Sequence, residues 1–95
     1  MRFDWDPRKS ERTLHERGFD FAFASRVFEG QVVVDEDTRR DYGERRFRAT
    51  GEIEGQVLRV VFTDRLAADG EVVRWIIAAW PASRKERRSY REQAC

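Results

Sequence analysis

The chain has 95 residues, of which 40% are apolar and 13% aromatic. This composition supplies enough material for one compact core but not for two, so we expect a single domain over residues 1–95. The 19 lysines and arginines against 18 aspartates and glutamates leave a net charge of +1. Overall charge alone therefore does not draw the chain to nucleic acid, and any electrostatic function must come from local clusters of charge.

No stretch of the sequence approaches the roughly 20 apolar residues of a membrane span, and the N-terminus is charged from Arg2 onward. We therefore expect a cytoplasmic protein that is neither exported nor inserted in a membrane. Cys95 is the only cysteine, which excludes an internal disulfide and a metal site built from several thiolates. The sequence also lacks a glycine-rich phosphate loop, a zinc motif and a nucleophile elbow, so we expect no cofactor and no metal.

Two helices are predicted before the first strand. Asp6 is a typical N-cap and is followed by a proline, which suits the first helical position, so the first helix runs through Arg8–Arg17. Gly18 ends it. A second helix starts at Asp20, continues through apolar residues at helical spacing and stops at Gly30.

Four strands follow, because β-branched residues then dominate. The predicted strands are Gln31–Asp35, Arg45–Thr50, Val57–Asp64 and Val72–Trp80. The short links at Gly51–Gly55 and Asp69-Gly70 favour an antiparallel sheet. Phe3 and Trp5 alternate with charged residues and are compatible with a brief additional strand.

The last helix is predicted over Arg84–Glu92, because Ser83 and Glu86 form a capping box. Tyr90 is the only large apolar side chain that this helix offers to a core. Its cations are Arg84, Lys85, Arg87, Arg88 and Arg91. They are consistent with a solvated helix, with phosphate contacts or with an acidic protein partner. The elements together predict an α+β fold with two N-terminal helices, an antiparallel sheet of about four strands and a C-terminal helix.

Strand parity separates the two faces of the predicted sheet, because alternate side chains point to opposite sides. The predicted core face contains Phe47 and Ala49, then Leu58, Val60 and Phe62, then Val73, Trp75, Ile77 and Ala79. The other face collects Arg46, Arg48, Arg59, Arg65, Arg74 and Trp80. Like charges on neighbouring strands repel, and the acids of this parity lie at strand ends, such as Glu44. Two interpretations follow: an ordinary solvated sheet face, or a site for an anionic ligand with Trp80 available to stack a base.

The order of several segments resembles one protein family over nearly the whole chain. The segments are Phe3-Asp4-Trp5-Asp6 with Lys9, Gly18 and Phe21, Gly43-Glu44-Arg45-Arg46-Phe47 and Gly51, Val60-Val61-Phe62-Thr63-Asp64-Arg65, Ile76-Ile77-Ala78-Ala79, and Arg84-Lys85-Glu86-Arg87-Arg88-Ser89-Tyr90. This combination resembles the BrnT toxins of type II toxin–antitoxin pairs. The resemblance implies a RelE-like fold, bacterial cytoplasm, ribonuclease activity and a BrnA-type antitoxin that carries its own DNA-binding domain.

Two arginines of this chain, Arg46 and Arg65, match arginines that the family pattern places on these strands. The chain departs from that pattern at two places. Arg17 stands where the family usually has a histidine before the glycine that ends the first helix. The fourth predicted strand ends in Ala78-Ala79-Trp80 where the family usually has Ser-Ala-Arg.

The leading hypothesis is a metal-independent endoribonuclease that inhibits translation, in which the RNA 2′-hydroxyl attacks the adjacent phosphate. Arg46 and Arg65 are expected to neutralise the developing charge, and Tyr90, Glu44 or His15 to transfer protons. The residues expected to hold RNA are Arg48, Arg59, Arg74, Trp80, Arg84, Lys85 and Arg88. The alternative is a catalytically impaired RNA- or antitoxin-binding module of the same fold. In either case DNA is reached only through the antitoxin, and a dimer within the complex is compatible with the sequence.

Overall fold

A computed structural model describes residues 1–94 of the chain, so the predictions made for Cys95 lie outside the described residues. The elements in chain order are β1 (Arg2–Trp5), α1 (Pro7–Arg17), α2 (Phe21–Ala24), a 3₁₀ helix (Ser25–Glu29), β2 (Val32–Asp37), β3 (Arg46–Ile53), β4 (Gln56–Leu66), β5 (Val72–Pro81) and α3 (Arg84–Ala94). Among residues 1–94, no helix has the length and apolar character that spanning a bilayer requires.

Local capping explains where the first helices begin and end. The Asp6 side chain accepts a hydrogen bond from the Arg8 backbone N–H, and the Asp20 side chain accepts one from Phe23. Gly18 ends α1 at a φ of 83°, a backbone conformation that glycine adopts without steric cost. The predicted bounds of the first helix are thus confirmed.

The five strands form one mixed sheet in the order β1-β5-β4-β3-β2. Strands β2 to β5 pair antiparallel, whereas β1 pairs parallel with β5, with Arg2 opposite Val73 and Trp5 opposite Ile76. The predicted fold class, including the RelE-like arrangement of two leading helices and four antiparallel strands, is therefore wrong. A strand precedes the helices, and the second N-terminal helix is one α-turn followed by a 3₁₀ turn.

One face of the sheet packs against α2 and the 3₁₀ helix, and we call it the helical face. Phe62 lies at its centre, with the ring of Phe28 5.2 Å away edge-on and the ring of Phe47 5.8 Å away. Gly51 allows the 3₁₀ helix to approach β3 closely, because a Cβ at this position would lie 2.8 Å from the Cβ of Val27. The core residues that parity predicted from β3 and β4 are confirmed, and β3 adds Ile53, which the prediction placed in the link after the strand.

The last helix, α3, packs on the opposite face of the sheet. Tyr90 is buried beside Val57 and Ala82, and its hydroxyl donates a hydrogen bond of 2.9 Å to the carbonyl of Gln31. The predicted capping box is present, because the Ser83 N–H donates to the Glu86 carboxylate and the Glu86 N–H donates to the Ser83 hydroxyl. One buried aromatic residue and a well-capped N-terminus thus explain how a polar helix stays docked.

A β-bulge in β5 reverses the predicted parity of part of that strand. Val61 pairs with Ala78, but the next residue of β4, Phe62, pairs with Ile76, so Ile77 is the extra residue. Ile76 rather than Ile77 therefore enters the core, and Val73, Trp75 and Arg74 exchange faces relative to the prediction. The expectation that Arg74 shares a face with the other strand arginines is wrong.

Candidate functional site

Four arginines lie together on the sheet face opposite the core, and we call this surface the arginine face. Arg46 and Arg48 come from β3, and Arg59 and Arg65 from β4. Their placement follows from the alternation of each strand, because Phe47, Ala49, Val60 and Phe62 occupy the helical face. Trp75 and Trp80 of β5 flank the arginines, since they pair in register with Thr63 and Arg59.

Glu44 joins two of these arginines at the end of the sheet farthest from α3. Its carboxylate accepts a hydrogen bond of 3.1 Å from Arg46 Nε and one of 3.4 Å from Arg65 Nη2. Arg65 also lies over the indole of Trp75, 4.7 Å from the ring centroid. The structure thus brings together three of the five predicted catalytic residues, Arg46, Arg65 and Glu44.

Tyr42 supports this cluster from the loop between β2 and β3. Its ring lies 4.2 Å from the guanidinium carbon of Arg46, and its hydroxyl donates a hydrogen bond of 3.2 Å to Asp37. Asp37 is buried and accepts two hydrogen bonds of 2.8 Å from the Arg39 side chain. Those bonds, helped by the Arg39 backbone N–H and by Tyr42, hold the pKa of the Asp37 carboxyl well below its usual range despite its burial.

Sequence reasoning missed both Tyr42 and Asp37, because both lie between the predicted strands Gln31–Asp35 and Arg45–Thr50. In the structure β2 continues to Asp37, which pairs with Arg46. The one available signal was an aromatic residue, Tyr42, within a loop of otherwise polar character.

The other two arginines, Arg48 and Arg59, lie between this cluster and α3. Arg48 Nε donates to Asp35 at 3.0 Å, while Arg59 lies 4.0 Å from Asp35 and 3.5 Å from Glu86. The Arg59 side chain is 14% exposed, and within residues 1–94 its buried Nε has no hydrogen-bond partner. Glu44, the strand-end acid that shares this parity, contacts Arg46 and Arg65. Asp35 of β2 contacts Arg48 and Arg59, so each of the four arginines lies within 4.0 Å of a carboxylate.

Three predicted residues lie apart from the arginine face or point away from it. Arg74 lies on the helical face, where it donates to Asp64 at 2.8 and 2.9 Å and stacks over Phe62. His15 is exposed on α1. Tyr90 lies on the buried side of α3, where it packs against Val57, and its hydroxyl donates a hydrogen bond to the carbonyl of Gln31.

The remaining predicted residues are accessible. Trp80 is half-buried beside Arg59, and it also borders a groove between α1 and β5 that contains Arg17. The exposed cations of α3 include Arg84, Lys85 and Arg88. In residues 1–94 no group of three or more histidine, cysteine or carboxylate side chains is arranged to hold a metal ion.

The arginine face has the chemistry of a surface for phosphodiesters. Guanidinium groups bind phosphate oxygens through paired N–H donors, and Glu44 is a carboxylate placed between two of them. This class of site, on a small α+β domain, agrees with the comparisons with known proteins. A family model described as "Ribonuclease toxin, BrnT, of type II toxin-antitoxin system" matches residues 5–86.

The chain belongs to this family of ribonuclease toxins, and the family resemblance predicted from sequence is confirmed. Membership in a type II system implies an antitoxin as partner. A comparison with the curated proteins found no match.

Proposed function

We propose that this protein is a metal-independent endoribonuclease that inhibits translation and is neutralised by a BrnA-type antitoxin. The observation that carries the proposal is the position of Glu44, a carboxylate held between the guanidinium groups of Arg46 and Arg65. A proton acceptor between two fixed positive charges is an arrangement suited to phosphoryl chemistry.

In the proposed reaction the RNA 2′-hydroxyl attacks the adjacent phosphorus, and Glu44 accepts the hydroxyl proton. Arg46 and Arg65 stabilise the additional negative charge on the non-bridging oxygens of the pentacoordinate phosphorus. The bond to the 5′-oxygen then breaks, and the leaving oxygen takes a proton from solvent. The products are a 2′,3′-cyclic phosphate and a 5′-hydroxyl, so bonds and protons balance without a metal ion.

Glu44 is the preferred proton acceptor among the three predicted candidates, because it alone contacts both arginines. The hydroxyl of Tyr90 already donates to the carbonyl of Gln31, and His15 lies on α1. In this proposal Arg48, Arg59 and Trp80 extend the RNA surface along the sheet. The exposed cations Arg84, Lys85 and Arg88 position the RNA backbone from α3.

The direct test incubates the purified protein with single-stranded RNA in excess EDTA and analyses the ends of the products. We expect cleavage to persist in EDTA and to leave 2′,3′-cyclic phosphate and 5′-hydroxyl ends. RNA in which every 2′-hydroxyl is methylated is the matched control, because it has no attacking group and should remain intact. Loss of cleavage in EDTA, or products with 5′-phosphate ends, would contradict the mechanism.

A second candidate function is a binding module that has kept the family fold and lost nuclease activity. It is favoured by the ion pairs of the arginine face, since Asp35, Glu44 and Glu86 already compensate the four arginines. Salt-sensitive binding to an acidic antitoxin segment, with no RNA cleavage at any protein concentration, would establish this alternative. DNA would then be reached only through the antitoxin, in a complex that can contain a toxin dimer.

Tyr42 is predicted to be a positioning residue for Arg46. A cation–π contact contributes about 0.5–2 kcal/mol, so we expect Tyr42→Ala to lower kcat/KM for RNA cleavage by roughly 2- to 30-fold. Tyr42→Phe retains the ring and should retain most of the activity, because it loses only the hydrogen bond to Asp37. Steady-state cleavage kinetics of the two variants make the comparison. Equal losses in both would assign the effect to the hydroxyl and contradict the stacking role.

A further inference from the structure

A groove runs between α1 and the last part of β5, beyond the end of β1. Strand β1 pairs with β5 only as far as Ile76, so the following residues of β5 have α1 rather than a strand beside them. The groove is lined by Lys9, Arg12, Thr13, Glu16, Arg17, Phe21 and Ile77–Trp80. The five polar lining residues follow the helical pattern i, i+3, i+4, i+7 and i+8 from Lys9 and therefore share one face of α1.

The groove carries positive charge that the protein itself does not compensate. Within residues 1–94, Lys9, Arg12 and Arg17 form no ion pair, and Glu16 is the only acid among the lining residues. The arginine face differs, because each of its arginines lies within 4.0 Å of a carboxylate. An anionic ligand therefore meets less competition from internal acids in the groove than on the sheet.

Trp80 connects the groove with the arginine face. In the sheet it pairs with Arg59, and it is also one of the residues that line the groove. The indole is half-buried, so part of the ring remains accessible. An accessible aromatic ring between two cationic surfaces is typical of proteins that bind single-stranded nucleic acid, where a base stacks on the ring and phosphates contact the cations.

We infer that this groove is a second RNA subsite, which holds the single strand where it leaves the arginine face. Lys9, Arg12 and Arg17 bind its phosphates, and Trp80 stacks one base at the junction. The inference takes its ligand from the proposed function, but it concerns binding and does not require that the protein cleaves RNA. Trp80 and the continuity with Arg59 favour RNA over an acidic protein segment as the occupant.

The test compares the binding of two fully 2′-O-methylated RNAs, which cannot be cleaved by attack of a 2′-hydroxyl. One has about 4 nucleotides and covers the arginine face alone, and the other has about 12 and reaches the groove. The groove variant is Arg12→Gln/Arg17→Gln. The control is Arg8→Gln/Arg26→Gln, which removes the same charge from exposed positions outside the groove.

We expect the groove variant to weaken binding of the long RNA about tenfold more than binding of the short one. The slope of log K against log salt for the long RNA should fall by about 1.4, or 0.7 for each lost phosphate contact. Trp80→Ala should weaken long-RNA binding by roughly 5- to 100-fold, and Trp80→Phe should restore most of it.

Three results would overturn the inference. The first is equal losses in the groove variant and the control, which would indicate only a general effect of charge. The second is failure of the unmodified protein to distinguish the long RNA from the short one. The third is loss of antitoxin binding by the groove variant without loss of RNA binding, which would assign the groove to a protein.

If long-RNA binding depends on the groove but no RNA is cut in EDTA, the nuclease proposal fails and the subsite stands.

Discussion

Simultaneous replacement of Arg46 and Arg65 by alanine is expected to reduce RNA cleavage by about 10²- to 10³-fold. The two guanidinium groups are held at 3.1 and 3.4 Å from the same carboxylate. We therefore expect them to act on the same phosphate, with effects that are not additive. Each single variant should therefore account for most of the loss shown by the double variant. Cleavage rates measured under single-turnover conditions report this difference directly.

Arg45→Ala is the matched control for this prediction. Arg45 is the chain neighbour of Arg46, is largely exposed and bonds to Glu36, away from the cluster at Glu44. Its loss should leave cleavage within about threefold of the unmodified protein, the effect of an ordinary surface change. The Arg46→Lys/Arg65→Lys variant keeps both charges but not the planar fork, and should have intermediate activity. Unchanged cleavage in the double alanine variant would refute the role of these arginines.

Local signals in the sequence predicted most of the elements. Asp6 and Gly18 mark the ends of α1, and the capping box at Ser83 marks the start of α3, because each signal acts within one helical turn. Strand β1 was only an open possibility, since its partner β5 lies far along the chain and no hairpin turn connects them. Four residues are also too few for a convincing alternating pattern.

The arginine face was predictable only where the strands are regular. Parity placed Arg46, Arg48, Arg59 and Arg65 together because β3 and β4 pair with each other without a bulge from Phe47 to Ile53. It failed for Arg74, because a single extra residue at the bulge of β5 inverts every side chain that precedes it in the strand.

The acids that compensate the arginines could not be predicted in the same way. Asp35 reaches Arg48 through the register of β2, and Glu86 reaches Arg59 through the docking of α3. Both contacts depend on tertiary packing, which an alternating pattern does not contain. The positions of these four arginines therefore agree with the sequence prediction, but the charge of the surface does not. The surface was expected to be strongly basic, whereas each of its arginines is paired with a carboxylate.

The internal pairing changes how substrate binding is expected to occur on this face. An RNA phosphate that approaches Arg46 or Arg65 must share these groups with Glu44, so affinity on the sheet should be modest and the geometry well defined. Several cations of α1 and α3 can supply long-range attraction instead, because within residues 1–94 they form no ion pair: Lys9, Arg12, Arg17, Arg84, Lys85 and Arg88. We therefore expect the paired arginines to orient the bound phosphate, and these cations of α1 and α3 to attract the RNA.

The carboxylate of Asp37, the buried last residue of β2, is expected to contribute more to stability than the exposed acids of the loop that follows. It is buried and accepts hydrogen bonds from Arg39 and Tyr42. Asparagine keeps one acceptor oxygen but replaces the other with an N–H donor, so the donors on that side lose their partner. We expect Asp37→Asn to lower the free energy of unfolding at pH 7 by about 2 kcal/mol. Equilibrium urea denaturation measures the change, and Asp41→Asn, at an exposed acid of the loop after β2, should have little effect.

The stability difference between the unmodified protein and Asp37→Asn should depend on pH, and its direction follows from the lowered pKa of Asp37. Because folding lowers the pKa of Asp37, the carboxylate stabilises the fold above the pKa of the unfolded chain, about 3.9. This contribution is lost as the pH falls through the range between the unfolded and folded values. The gap between the unmodified protein and Asp37→Asn should thus be largest near neutrality and shrink steadily below about pH 4. A gap that stays constant down to about pH 2 would show that the charge of Asp37 is not what stabilises the loop.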